Sequence, residues 1–246
     1  MIRISLKSEE IFSILGFSIT NSLIMSIFGL ILFYLFAIYY SYSVKNKRVN
    51  NFFILFNLSI KSTYGFFKSI FEAKVDYFYP LIGSFFFFIL INNELGLFPG
   101  IGSLLIKIKE GSEHNFVPLL RGGTTDLNTT IALALITVVF AQYIGIKTLG
   151  FAEYMKKFVN FSSATAFFTC FMEMISEFSR LIAYSFRLYG NIFAGEMIIY
   201  IMAFLFPILL STPFFLFEIF VGFIQAIVFA MLSAVFYNLA MEKSHY

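Results

Sequence analysis

Apolar and polar residues fall in long blocks along this chain, not in the three-to-four-residue rhythm of a surface helix. Residues 11–44, 127–146, 197–217 and 219–241 contain no charged side chain. About 20 apolar residues are enough for a helix to cross roughly 30 Å of hydrocarbon. The blocks therefore predict an all-α integral membrane protein forming a single membrane domain, 1–246. After an N-terminal segment, 1–10, come a first helix at 11–43 and a second at 77–98, the latter stopped by Pro99-Gly100. A third, at 126–148, has Asp126 placed as its N-cap. Two further stretches, 162–206 and 214–241, are separated by a turn between Pro207 and Pro213. Residues 51–75 carry Lys61, Lys68, Glu72 and Lys74. That density of charge is too high for a span and suits an amphipathic helix lying at the interface. The expected architecture is about five long membrane helices and one interfacial helix.

Composition supports the class. Charged residues make up 13% of the chain and hydrophobic ones 59%, whereas a soluble domain has about a quarter of its residues charged. Arg3 and Lys7 ahead of an apolar run look like the start of a signal peptide. The run is too long for one and no small-x-small cleavage site follows, so it reads as a retained first helix. Tyr39, Tyr40 and Tyr42 are placed to supply an interfacial aromatic belt in a chain that has no Trp. The net charge of +3 gives no nucleic-acid signal, and the sole cysteine, Cys170, cannot form an intrachain disulfide. With the N-terminus outside, the inner segments 45–75, 147–157 and the tail hold more Lys and Arg than the outer ones. This favours five crossings with the N-terminus out and the C-terminus in.

The candidate chemistry lies in charges far from any loop. Arg187 sits inside SFRLYGNIFAGEM, where an arginine costs about 2.5–3.5 kcal/mol on insertion scales. It is either a functional charge or a structural partner of Glu173, Glu177 or a backbone carbonyl. At 100° per residue Arg180, Arg187 and Asn191 share one helix face, with Glu173 and Glu177 near it. Glu196 falls on the opposite face, about 13 Å beyond Arg187. That layout suits two separate aqueous paths divided by a positive charge. On the last span Glu218 and Gln225 are seven apart and share a face. Gln225 is placed to hydrogen-bond across to Arg187, or to hold helices together, and Glu218 to line a path with Glu196. Two close carboxylates cannot both ionise easily in a low dielectric, which suits proton relay. The sequence has no Gly-rich phosphate loop and no Cys/His metal spacing, so no cofactor or metal is expected. His114 and His245 lie outside the spans.

SFRLYGNIFAGEM resembles the R-L-x-G-N-x-x-A-G-E/H signature of subunit a of rotary F-type ATP synthases. NELGLFPG (Asn93–Gly100), TTDLNTTIALAL from Thr124 and ITNSLIM from Ile19 resemble other segments of that family, in the same order. The resemblance implies that the last two helices form a strongly tilted hairpin curving around a rotating c-ring, with peripheral-stalk b subunits as further partners. It implies that Arg187 faces the ring's carboxylates, favours their ionised form and blocks direct leakage. Asn191 and Gln225 match polar positions close to that arginine. Glu196 and Glu218 match the outer half-channel, Glu173 and Arg180 the inner side. It implies a non-catalytic, proton-translocating chain without a nucleotide site, in a bacterial inner membrane or alternatively a mitochondrial one. Two positions depart from the family: Leu181 stands where proline is frequent, and Glu196 and Glu218 are both Glu where one is commonly His. A secondary ion-coupled transporter or a structural membrane-complex subunit would also bury such charges, but no inverted repeat is visible.

Overall fold

A computed structural model describes the chain except for residues 1–7, 15–16, 48, 72–73, 99, 102–103, 111–112, 159–163, 207–210 and 243–246. Arg3, Lys7, Glu72, Pro99, Pro207 and His245 thus lie outside the described residues. Two short antiparallel strands, β1 (Glu10–Ile14) and β2 (Phe17–Thr20), lead into α1 (Asn21–Lys45), α2 (Asn51–Phe71) and α3 (Val75–Leu97). A second hairpin, β3 (Leu105–Glu110) and β4 (Glu113–Pro118), and a 3-10 turn at Gly123–Thr125 precede α4 (Leu127–Leu149). The short α5 (Phe151–Met155) and the long α6 (Ala164–Leu205) and α7 (Ser211–Met241) complete the fold. Helices α1, α3, α4, α6 and α7 are the five described ones long and apolar enough to cross a membrane. The protein is an all-α membrane protein with two small β-hairpins.

Two sequence expectations change. The first helix starts at Asn21, not at 11, because residues 10–14 and 17–20 form the paired strands β1 and β2. Absence of charge marks this segment as apolar but does not make it helical. Ile and Phe on either side of Gly16 suit short strands, and the Thr20 side chain accepts a hydrogen bond from the Leu23 amide at 3.2 Å to start the helix. Between the second and third spans, where the sequence predicts no element, residues 105–110 and 113–118 form β3 and β4. Ile106 and Ile108 alternate there with Lys107 and Lys109, the period-two pattern of a strand. Elsewhere the ends fall close to expectation. The Asp126 side chain accepts from the Asn128 amide at 2.9 Å and caps α4. The stretch expected at 162–206 is one unbroken helix of 42 residues. At 1.5 Å per residue it is about 63 Å long, roughly twice the hydrocarbon thickness.

The core is built around α7. Phe78 stacks on Tyr237 (6.0 Å between ring centroids) and Phe85 meets Phe229 edge-on (5.7 Å), so α3 and α7 run antiparallel. Tyr184 of α6 meets Phe229, and Phe140 of α4 meets Tyr237. One stripe of α7, Gly222, Ala226, Ala230 and Ala234, is fully buried. Small residues every fourth position let helix backbones approach closely, which is how helices associate where lipid removes the hydrophobic drive between them. Large apolar side chains elsewhere, such as Leu35, Val139, Phe178 and Phe220, face outward. The α2 helix lays Phe67 and Phe71 against α3 and leaves its charged face out.

Short α5 is held by one residue. The Tyr154 ring is buried against Gly145 of α4, and its hydroxyl donates to Gln142 Oε1 at 2.7 Å. Burial, then the nearby Glu177 carboxylate, pushes the Tyr154 hydroxyl up to about 12, so it stays protonated and able to donate at any physiological pH. A Cβ at Gly145 would collide with the Tyr154 ring. Gly145→Leu is expected to expel α5 and cost about 1–3 kcal/mol. Thermal unfolding in detergent should show an earlier midpoint, and proteolysis should quicken at 150–158; an unchanged melt and digest would contradict the packing described.

Candidate functional site

Ionisable side chains inside the bundle gather in two clusters at opposite ends of α6. Helix α6 runs antiparallel to α7, with Tyr184 beside Phe229 and Gly195 beside Glu218. One cluster therefore lies near the start of α6 and the end of α7, and the other near the end of α6 and the start of α7.

In the first cluster Arg180 pairs with Glu177 at 3.4 Å and lies over the Phe236 ring, 4.7 Å from its centroid. Gln142 of α4, which accepts from Tyr154, stands beside Glu177. Glu173, one turn earlier, is half-buried and within electrostatic range of Glu177 and Tyr154. The structure thus brings Glu173 and Arg180 together and adds Glu177, Gln142 and Tyr154.

In the second cluster Glu196 pairs with Arg121 at 3.4 Å, the two side chains 16% and 8% exposed. The Arg121 guanidinium also lies over the Phe193 ring at 5.5 Å. Glu218 is buried, its carboxyl filling the space that a Cβ on Gly195 would need. Glu196 and Glu94 both lie within electrostatic range of Glu218. The expected association of Glu196 with Glu218 is present in the geometry. Arg121 and Glu94 went unrecognised in the sequence. Arg121 stands in a segment that reads as a polar loop, and Glu94 reads as one letter of NELGLFPG at a helix end. The available signal was that Arg121 lies only five residues before the Asp126 cap.

Around this second cluster the quoted motifs converge. Asn93 of α3 donates to the Gly222 carbonyl of α7 at 2.9 Å and accepts from the Thr124 hydroxyl at 2.6 Å. Gly96 lies against Gly122, and Gly29 of α1 against Asn92. Asn21 donates to the Pro118 carbonyl at 3.2 Å.

Arg187 lies between the clusters, about 15 Å along the axis from Glu177 and about 13 Å from Glu196. It is exposed on the outer face of α6, as is Asn191 one turn on. It has neither a hydrogen bond nor an ion pair with any of the described residues. With Arg180, Tyr184 and the α7 residues Leu232 and Phe236 it lines an open cavity of about 240 Å³. The helix register sets half-buried Gln225 across from the turn that carries Arg187, but no hydrogen bond joins them. The alternative in which Arg187 pairs with Glu173 or Glu177 is also absent, since Glu177 pairs with Arg180.

Five apolar helices that enclose two acid–base clusters and present a lone arginine outward define a membrane protein organised around ionisable groups. The family model for the ATP synthase A chain matches residues 22–238, and the chain belongs to that family. It is 35% identical over 167 residues to the chloroplastic ATP synthase subunit a of Stigeoclonium helveticum, covering 68% of this chain and 62% of that protein. Similarity to ATP synthase subunit a of Geotalea uraniireducens is 35% over 168 residues, 68% and 65% of the two chains. The subunit a of Syntrophobacter fumaroxidans is 34% identical over 200 residues, 81% and 74%. The match spans less than two thirds of the length of the first two relatives.

The Arg121–Glu196 pair gives a direct test of the second cluster. Arg121→Met leaves a buried carboxylate without its cation, and breaking a buried pair from one side costs about 3–5 kcal/mol. The double variant Arg121→Met/Glu196→Met should recover most of that loss. Thermal or denaturant unfolding of the purified chain in detergent measures both; equal stability of the single variant and the parent would show the pair to be absent.

Proposed function

We propose that this chain is the stator channel subunit of a rotary ATP synthase, passing protons through two offset half-channels to and from carboxylates on a rotating c-ring. The observation that carries this reading is the position of Arg187. It is an exposed, unpaired arginine midway along a helix whose two ends carry separate acid clusters. A charge in that setting needs a counter-charge brought by another molecule. A ring of small subunits, each bearing a membrane carboxylate, supplies one repeatedly.

The parts then take distinct roles. The cluster of Glu196 and Glu218, near the end of α6, lies along the outer path, and that of Glu173 and Arg180 along the inner one. Asn191, one turn from Arg187 on the same exposed face, and Gln225, across on α7, keep the surroundings of the passing carboxylate polar. Arg187 favours the ionised form of the ring carboxylate, so the proton leaves into one half-channel. Its charge also repels a proton moving straight between the two paths. A potential of 100 mV supplies about 2.3 kcal/mol per charge moved, and that work turns the ring. The length of α6 supports a steeply tilted α6–α7 hairpin, because an upright helix would overrun the bilayer by about 30 Å.

ATP is made on other subunits, so the chain is non-catalytic. Peripheral-stalk b subunits would hold it against the ring. The lysine and arginine distribution supports an outer N-terminus and an inner C-terminus, in a bacterial inner membrane.

Inverted vesicles carrying Arg187→Ala test the reading, with assembly checked by pull-down of the c-ring. ATP-driven proton pumping is expected to fall to background while the complex still assembles. Normal pumping by an assembled Arg187→Ala complex would overturn the mechanism.

A further inference from the structure

Glu94 is a half-buried carboxylate that the mechanism above does not use. It follows Asn93, whose side chain is tied to the Gly222 carbonyl of α7. That bond holds the last turn of α3 against α7 and carries the Glu94 carboxyl over the α7 backbone. A Cβ built on Gly222 would stand 3.3 Å from Glu94 Oε1. Glu218 is four residues before Gly222, so its side chain leaves α7 on the same face one turn away. Glu218 is 3% exposed, and its Oε1 has no hydrogen-bond partner among the described residues. A buried carboxylate oxygen without a partner is costly unless something transient serves it. Glu94 lies within electrostatic range of Glu218, and Glu218 in turn within range of Glu196. Arg121 is engaged with Glu196, and Tyr200 lies within electrostatic range of both. One guanidinium balances one carboxylate of the three, which leaves the other two as places where a proton can reside.

Accessibility differs between the first two. Glu94 is partly open to the surroundings and Glu218 is closed off. Gly222 keeps the space between them free of a side chain, and Gly195 does the same between Glu218 and α6.

We infer that Glu94 is a third proton-carrying carboxylate of the outer path, standing between water and Glu218. This rests on the channel reading. In the step from Glu94 to Glu218 the O–H bond on Glu94 breaks and one forms on a Glu218 oxygen, directly or through an intervening water. Glu94 is left as the carboxylate and takes its next proton from water. When the ring is driven in reverse the same steps run backwards. The path thus has three stations on three helices, α3, α7 and α6.

The test uses the assembled complex in inverted vesicles, comparing the parent with Glu94→Gln, Glu94→Asp and, in parallel, Arg187→Ala. Glu94→Gln keeps the shape and removes the titratable proton. It is expected to slow ATP-driven pumping roughly tenfold, equal to about 1.4 kcal/mol on the transfer barrier. Glu94→Asp should restore most of the rate. Full pumping by an assembled Glu94→Gln complex would overturn the inference. So would an assembled Glu94→Asp complex as slow as Glu94→Gln, since a shape requirement alone gives that result. If Glu94→Gln fails to assemble, Glu94→Cys in a Cys170→Ser background decides. A small water-soluble cationic methanethiosulfonate is expected to label it and slow pumping, and absence of labelling would overturn the inference. Loss of pumping in Arg187→Ala alongside normal pumping in Glu94→Gln would sink only the role of Glu94. Normal pumping in Arg187→Ala would sink the channel reading itself.

Discussion

The Asn93 side chain holds the structure at its most demanding point. Its amide donates to the Gly222 carbonyl and its oxygen accepts from Thr124. One side chain thereby joins α3, α7 and the turn before α4. Buried polar groups in an apolar setting must find partners or cost several kcal/mol, so this knot has one satisfactory arrangement. The arrangement in turn fixes where Glu94, Arg121 and Glu218 stand relative to one another. The glycines at 96, 122 and 222 matter for the same reason: each lets another backbone or a carboxylate come close enough for the contacts to form.

A second constraint is the treatment of charge along α6. Its cationic and acidic residues are not handled alike. Arg180 is paired with Glu177, and Glu196 with Arg121. Of the two arginines, Arg187 is left outward, beside an open cavity. A bundle that only needed stability would pair it too, or replace it by an apolar residue at no loss. Leaving the charge on an outer face, with Asn191 one turn away, makes that face dependent on something outside the chain.

Much of this was legible in the residues. The five spans followed from the long apolar stretches, and Arg187 stood out because arginine is costly in hydrocarbon. The Asp126 cap followed from its place before an apolar run. The separation of Glu196 from the Glu173–Arg180 face followed from helical periodicity alone. Other features were not legible. The charge-free run from Ile11 read as helix, although residues 11–14 and 17–20 lie in paired strands, because hydropathy reports environment and not backbone geometry. Arg121 read as a loop residue, because nothing local says that a loop folds back over α6.

The sequence by itself determined the class of protein, the number of long apolar helices and the residues whose charges are expensive. Those properties depend on composition and on spacing within one helix, where neighbours are set by the 3.6-residue turn. Tertiary structure alone decided which charges meet. It paired Arg121 with Glu196 across 75 residues, pressed Glu218 against Gly195, set Glu94 beside Gly222 and left Arg187 unpaired. Contacts between helices depend on their register and on which small residues allow close approach, and neither is written in any single segment.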